Sequence, residues 1–219
     1  MSERLITIFI QSFWQILLPG LTMTIPLTVI SFAIALVIAL FTAIVQIAEV
    51  PMLKPLARLY VWIIRGTPLL VQLFVVFYGL PSLGIVLDAF LSAIIVFSIN
   101  TGAYASETIR AAIEAVPPGQ MEAGYCVGMT YAQCMRRIIL PQALRTAFPP
   151  LSNSLIGLIK DTSLAANITI MEMFMAAQRI AARTYEPFAL YCEVGLVYLI
   201  FCTVLTRLQR TWEVKLKLD

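Results

Sequence analysis

Long apolar runs alternate along this chain with short polar or proline-rich breaks. Residues 1–20 mix apolar and polar positions and read as a short interfacial helix leading into the first run. One basic residue (Arg4), an acidic neighbour (Glu3) and no small-residue cleavage site argue against a removable leader. A first span is predicted over 20–45, with Pro26 near its start, followed by a basic loop over 49–58. A second span over 56–80 is interrupted by Arg65-Gly66-Thr67-Pro68. Starting its helix at Pro68 would leave about 13 residues, roughly 20 Å, before Pro81, too short to cross a bilayer. One kinked helix with Arg65 near an interface is therefore expected, then a tight loop at Pro81 and Gly84. A third span is predicted over 89–115, closed by Pro117-Pro118-Gly119; a less apolar fourth over 147–164; and a fifth over 187–208, followed by a tail carrying Arg210, Lys215 and Lys217. Residues 169–185 read as an amphipathic interfacial helix, with Thr169 and Glu172 in the S/T-x-x-E form of a capping box.

Composition turns these runs into membrane spans. The 219 residues are 60% hydrophobic and 12% charged, with a mean hydropathy of +0.90; soluble domains carry about 25% charged residues. Most of the surface must face lipid, and about 20 residues per crossing fits an all-α, polytopic single domain of five transmembrane helices. The net charge of +3 is too small to suggest a nucleic-acid partner. Placing the 49–58 loop, the 117–141 segment and the C-terminus in the cytoplasm gathers every basic residue there except Arg4, Lys160, Arg179 and Arg183. The positive-inside rule then sets the N-terminus outside and the C-terminus in the cytoplasm. The chain has no His, and Cys126, Cys134, Cys192 and Cys202 lack metal-ligand spacing. No metal site and no catalytic residue are expected; the cysteines read as small packing side chains.

The segment 117–141 is the one polar, basic-ended insert. Residues 122–127 can form a short helix that Gly128 terminates in a left-handed conformation. Thr130 and Gln133 can form a capping box for a second helix ending by Pro141. The expected product is a helix-turn-helix at the membrane face; the plainer reading is a solvated loop obeying the charge rule.

The spacing E-A-x-x-x-x-G-x(9)-I-x-L-P, filled by Glu122, Ala123, Gly128, Ile138, Leu140 and Pro141, resembles the EAA motif of the membrane subunits of ATP-binding-cassette importers. Gly124 stands where the third motif position is usually Ala. Arg65-Gly66-Thr67-Pro68 with Gln72-Leu73-Phe74, the run 100–110 with Pro118-Gly119-Gln120, and Lys160-Asp161-Thr162-Ser163-Leu164 are similar to the polar-amino-acid branch. The likeness covers about residues 15–212, and the runs 78–81 (YGLP) and 149–154 (PPLSNS) look most like cystine-type members. The resemblance implies a type I importer permease fold in a bacterial inner membrane. It makes the insert a coupling helix (Glu122, Ala123, Gly124, Gly128, Ile138, Leu140, Pro141) seated in a cytoplasmic ATPase subunit dimer. It also implies an extracytoplasmic substrate-binding protein, a second permease chain (identical or related), and Mg-ATP used by the partner with no cofactor on this chain. No G-x-x-x-x-G-K-[ST] motif occurs, in keeping with ATP binding elsewhere.

Polar residues within spans are the candidates for a substrate path. Asn100, Tyr104, Glu107 and Glu114 share one face of the third span, with Arg110 at its edge. Glu107 or Asp161 could accept the ammonium of a zwitterionic amino acid; Asn100, Thr162, Ser163 or free backbone N–H groups could donate to its carboxylate. The competing readings are an i,i+3 ion pair of Glu107 with Arg110, extended to Glu114, that only glues helices, an outer-interface pair of Lys160 with Asp161, a snorkelling Arg65, and interface anchoring or helix packing for Glu193. An ion-coupled carrier or channel using Glu107 and Asp161 is the alternative function. An enzyme is disfavoured by the lack of a nucleophile–base pair.

Overall fold

The computed structural model describes residues 3–48 and 51–218, and no strand occurs among them. Ten α-helices follow in order: α1 (Glu3–Pro19), α2 (Ile25–Ile47), α3 (Leu53–Arg65), α4 (Leu69–Phe74), α5 (Ala89–Glu114), α6 (Pro118–Cys126), α7 (Tyr131–Cys134), α8 (Leu140–Asp161), α9 (Met173–Thr184) and α10 (Pro187–Leu218). Of the predicted basic loop, residues 49 and 50 lie outside the described residues, and the chain is helical again from Leu53.

Three π-helical turns interrupt these helices, and each precedes a proline by the same interval. Gly20–Thr24 stands ahead of Pro26, Val75–Gly79 ahead of Pro81, and Met135–Ile139 ahead of Pro141. In each case the residue just before the proline donates to the carbonyl five residues back: Ile25 to Gly20, Leu80 to Val75, Leu140 to Met135. A proline has no N–H, and its ring presses on the carbonyl four residues back; the wider turn makes room for it. Two expectations change as a result. The interfacial segment and the first span merge into one helical stretch, Glu3–Ile47. Pro141 does not end the second helix of the insert, because the chain runs helically from Tyr131 to Asp161.

The second span departs furthest from expectation. In place of a kinked helix, α3 and the stretch that follows it from Leu69 meet at 103°. Gly66 closes α3 by donating to the Trp62 carbonyl, and Pro68 is extended (φ −65°, ψ 137°), so the α3 ladder cannot continue. Among the described residues, three helical stretches are long and apolar enough to cross a membrane: Glu3–Ile47, Ala89–Glu114 and Pro187–Lys215. The bent pair would make a fourth. Helix α8 holds residues 147–161 of the fourth predicted span, whose last three residues fall in a 3-10 turn, and carries Ser152, Asn153, Ser154, Lys160 and Asp161.

Lipid is as apolar as Leu, so helices in a membrane associate by close packing and interhelical hydrogen bonds. Helices α2 and α5 meet along Ala35, Ala39 and Ala43 on one side and Ser98, Gly102 and Ser106 on the other, all buried. A Cβ on Gly102 would come within 2.9 Å of the Ile38 side chain. Ser98 donates to the Ser31 carbonyl of α2 at 3.2 Å. Leu27, Leu73, Phe97, Leu158 and Ile168 form the core beside this seam. A second core, with Ile16, Met173, Ala177, Leu190 and Val197, joins α1, α9 and α10. Glu193 is buried there and accepts from Ser12 Oγ of α1 at 2.5 Å, a packing contact between helices. The capping box expected at Thr169 is absent: Thr169 is left-handed (φ 71°), and Glu172 itself caps α9, accepting from the N–H groups of Phe174 and Met175 and from Tyr198 Oη.

Candidate functional site

The break after α3 is held open by one side chain. Gln72 Nε2 donates to the Ile64 carbonyl at 2.9 Å, the Thr67 carbonyl at 3.1 Å and Thr67 Oγ1 at 2.8 Å. These groups would otherwise be exposed by the lost helical ladder. Gln72 Oε1 in turn accepts from Asn100 Nδ2 at 3.1 Å, tying the break to α5. Tyr60 Oη adds a second tie to α5, donating to the Ile99 carbonyl at 2.6 Å.

Beside the break lies a chamber of about 430 Å³. Its wall combines Thr67 and Pro68 from the break, Asn100, Thr101 and Tyr104 from α5, and Ser154, Gly157 and Asp161 from α8. Of the candidate path residues, Asn100, Tyr104 and Asp161 are thus brought together from two helices far apart in sequence. Thr162 and Ser163 do not line it. Thr162 is fully buried and donates to the Ile159 carbonyl at 2.7 Å; Ser163 Oγ donates to the Lys160 carbonyl at 2.7 Å. Both hydroxyls close the end of α8 and start the 3-10 turn Thr162–Ile168, fixing the backbone that presents Asp161.

Glu107 lies one turn beyond Tyr104 and borders a different cavity, of about 460 Å³, with Gln46, Lys54, Arg58, Arg110 and Glu114. Its carboxylate accepts from Arg110 Nη2 at 2.8 Å, Arg110 Nε at 3.3 Å and Gln46 Nε2 at 3.3 Å. Arg110 Nη1 also bonds Glu114 at 2.6 Å. The i,i+3 pair extended to Glu114, the competing reading for Glu107, is therefore present. Arg65 Nη1 approaches Glu107 at 3.8 Å, and its guanidinium lies 5.2 Å from the centre of the Tyr104 ring.

The insert has the form that its turn residues dictate. Helix α6 contains Glu122, Ala123 and Gly124, and Gly128 turns left-handed at φ 82°. Met129 N–H then returns to the Gly124 carbonyl at 3.0 Å, and Gly128 N–H to Tyr125 at 3.0 Å. Both halves of the Thr130–Gln133 capping box are formed. The elbow closes on Gly124: a Cβ there would overlap Cys134 Sγ and touch Ile138. Ile138 is thus part of the elbow's inner contact, Leu140 and Pro141 begin α8, and Arg136 and Arg137 remain exposed.

Gln72, Thr67, Thr101, Ser154 and Gly157 contribute to the chamber or its frame without having stood out in the sequence as path residues. Gln72 carried a signal in one respect: a long amide side chain four residues after Pro68 is placed to bond carbonyls left open by the proline. The others are small polar residues of a kind common in any packed span.

Residues 35–217 match the family described as binding-protein-dependent transport system inner membrane component. The chain is 50% identical over 207 residues to the L-cystine transport system permease protein TcyB of Bacillus subtilis (strain 168), covering 94% of this chain and 88% of that protein. It is 41% identical over 204 residues to the probable amino-acid ABC transporter permease protein PatM of Vibrio harveyi, covering 92% of each. The crystal structure of an amino acid ABC transporter with histidines superposes with a TM-score of 0.89 at 32% identity, over 98% of this chain and 99% of that one. The MetNI methionine ABC transporter in an inward-facing form shares the fold, with a TM-score of 0.70 at 17% identity. These relationships do not favour an ion-coupled carrier. The chain is a membrane permease component of an ATP-binding-cassette importer, and it belongs to the family of binding-protein-dependent transport system inner membrane components.

Proposed function

We propose that this chain, paired with a second permease chain, carries a polar amino acid across the bacterial inner membrane, L-cystine or a closely related sulfur amino acid being the substrate. The observation that carries the substrate class is the 50% identity with an L-cystine permease across 94% of the chain. An extracytoplasmic binding protein delivers the substrate, and a cytoplasmic ATPase pair consumes Mg-ATP; this chain binds no cofactor. The N-terminus lies outside and the C-terminus in the cytoplasm, as the distribution of basic residues favours.

The chamber supports the substrate side of this reading. A carboxylate in a span is costly unless it serves a ligand or a partner, and among the described residues Asp161 makes no ion pair within 4.0 Å. It is suited to the substrate's ammonium, with Asn100 and Tyr104 opposite it and Glu107 further along the same face. The insert supports the driving side. Closure of the ATPase pair on ATP presses on the elbow formed by Glu122, Ala123, Gly124, Gly128 and Ile138. Because α7 continues through Leu140 and Pro141 into α8, the push reaches Asp161 along one helix. The chamber then alternates between the two faces of the membrane, while Thr162 and Ser163 hold its wall.

The test is reconstitution of the permease with its ATPase in liposomes and measurement of labelled L-cystine uptake. Saturable uptake that needs both ATP and the binding protein is expected, competed better by cystine analogues than by other amino acids. Uptake by the purified chain alone under an ion gradient would overturn it.

A further inference from the structure

Helix α8 presents a second face, turned away from the chamber. Ser154, Gly157 and Asp161 line the chamber, whereas Phe148, Leu155 and Ile156 lie round the other side of the helix. There they wall a groove of about 280 Å³ with Leu205, Gln209 and Trp212 of α10. A second groove, of about 410 Å³, shares Leu155 and Leu205 with the first and extends it to Ile200. From Ile200 to Trp212 the two run beside about 18 Å of α10, more than half of a hydrocarbon core about 30 Å thick. The lining is apolar apart from Gln209, Ser152 and Thr28.

Two features set the Trp212 end of this groove apart from plain lipid-facing surface. The first is charge. Lys215 Nζ stands 5.1 Å from the centre of the Trp212 ring. Arg145, three residues before Phe148, falls on the groove face of α8. Both are exposed, and neither makes an ion pair among the described residues. The neighbouring carboxylate, Glu213, accepts from Gln209 Nε2 at 2.8 Å. The second feature is an orphan acceptor. Gln209 Nε2 also donates to Asn153 Oδ1 of α8 at 3.3 Å, which fixes the amide, and Gln209 Oε1 is then buried without a hydrogen-bond donor. A buried carbonyl left without a donor is costly, the more so beside lipid, which offers none.

We propose that this groove binds an anionic phospholipid with a hydroxylated headgroup, of the phosphatidylglycerol type. One acyl chain lies along α10 from Trp212 toward Ile200. The phosphate is taken by Arg145 and Lys215, and a headgroup hydroxyl donates to Gln209 Oε1. A zwitterionic lipid brings no net charge to the two cations. An anionic lipid without a hydroxyl leaves the Gln209 oxygen unpaired. In the topology proposed above this end of α10 is cytoplasmic, so the lipid comes from the inner leaflet. The site is separate from the chamber and does not depend on which substrate the permease carries.

The purified permease–ATPase complex, stripped of lipid in detergent, is titrated with three lipids of equal chain length, and bound lipid is counted by native mass spectrometry. Phosphatidylethanolamine keeps a headgroup donor but has no net charge; phosphatidylmethanol keeps the charge but has no hydroxyl. Wild type is expected to hold phosphatidylglycerol more tightly than either. The double variant Arg145→Gln/Lys215→Gln, changed only at exposed positions, is expected to weaken phosphatidylglycerol about 30-fold, to the level of phosphatidylethanolamine. Gln209→Met is expected to weaken phosphatidylglycerol about 5-fold and to leave phosphatidylmethanol unchanged. Leu205→Trp, which fills the junction of the two grooves, is expected to displace all three. Phosphatidylglycerol binding unchanged in the double variant, or a wild type that does not prefer it, would overturn the proposal. So would a wild-type complex that takes up none of the three, the result expected where a second permease chain covers the groove.

Discussion

The insert and the chamber are built in opposite ways. The insert is made by neighbours in sequence: Gly128 turns the chain, Thr130 and Gln133 cap the next helix, and Gly124 meets Cys134 ten residues on. The chamber is made by residues that only the fold brings together, with Thr67, Asn100 and Asp161 from three separate segments. Its polar groups serve first to hold the backbone, as Gln72, Thr162 and Ser163 do, and only the remainder face the cavity. A local device of the first kind tolerates little change at its turn positions. A distributed one tolerates change in its frame but not at the few groups left facing inward.

Four substitutions test that contrast, and the largest effect is expected at Asp161. Asp161→Asn keeps the shape of the side chain and removes the charge that pairs with an ammonium; loss of such a partner costs about 2–5 kcal/mol. Cystine uptake in proteoliposomes should fall more than about 30-fold, while the amount of permease recovered with the ATPase is unchanged. Equal uptake would break the division of labour between the two regions.

Gly128→Val comes next. A β-branched residue held at φ 82° costs about 1–3 kcal/mol of backbone strain. Here the expected signature is the reverse: L-cystine still binds the purified permease, but ATP hydrolysis no longer responds to the loaded binding protein. Normal coupling in this variant would count heavily against the insert as the docking element.

Gly124→Ala is smaller because one side chain can relieve it. The new Cβ overlaps Cys134 Sγ, an overpacking worth about 1–3 kcal/mol. The double variant Gly124→Ala/Cys134→Ala should recover most of the lost thermal stability and coupled ATPase activity, since it moves the same volume from one helix to the other. Failure of the second change to rescue the first would show that the elbow is not closed by this contact. Thr130→Ala should cost least, about 1 kcal/mol for a lost cap, read as a small drop in melting temperature with uptake retained.

Sequence alone reached the insert furthest, because its signals are local. The left-handed Gly128 and the Thr130–Gln133 box both follow from residue type and spacing. It failed where Pro141 was taken as a full stop. Pro141 lies inside a continuous helix because the wide turn before it accommodates the ring. At Arg65-Gly66-Thr67-Pro68 the error ran the other way: a kink was expected where the chain turns by 103°, since Gln72 satisfies the carbonyls that a kink would have left open. Glu172 was placed as the closing residue of a box opened by Thr169 when its buried carboxylate is itself the cap, held also by Tyr198 from a later helix. The chamber's candidates were found by polarity within apolar runs, which singled out Asn100, Tyr104 and Asp161. Polarity cannot tell a side chain facing a cavity from one bonded to its own helix, as with Thr162 and Ser163.

The wide turn at Met135–Ile139 has a consequence for the phase of the helix that crosses it. An α-helix advances about 100° per residue, and a π-turn accommodates one extra residue without ending the rod. The face that Cys134 turns toward Gly124 and the face that Asp161 turns toward the chamber are therefore set by that inserted residue as much as by the distance between them. Replacing Pro141 by a residue with an N–H would let this stretch return to an even helical pitch with every residue kept, and it would swing everything beyond by about 100° relative to the elbow. The helix would survive and Asp161 would face the wrong neighbour. In that sense the turn works as an indexing notch, fixing the angle at which the elbow and the chamber wall are mounted on one shaft.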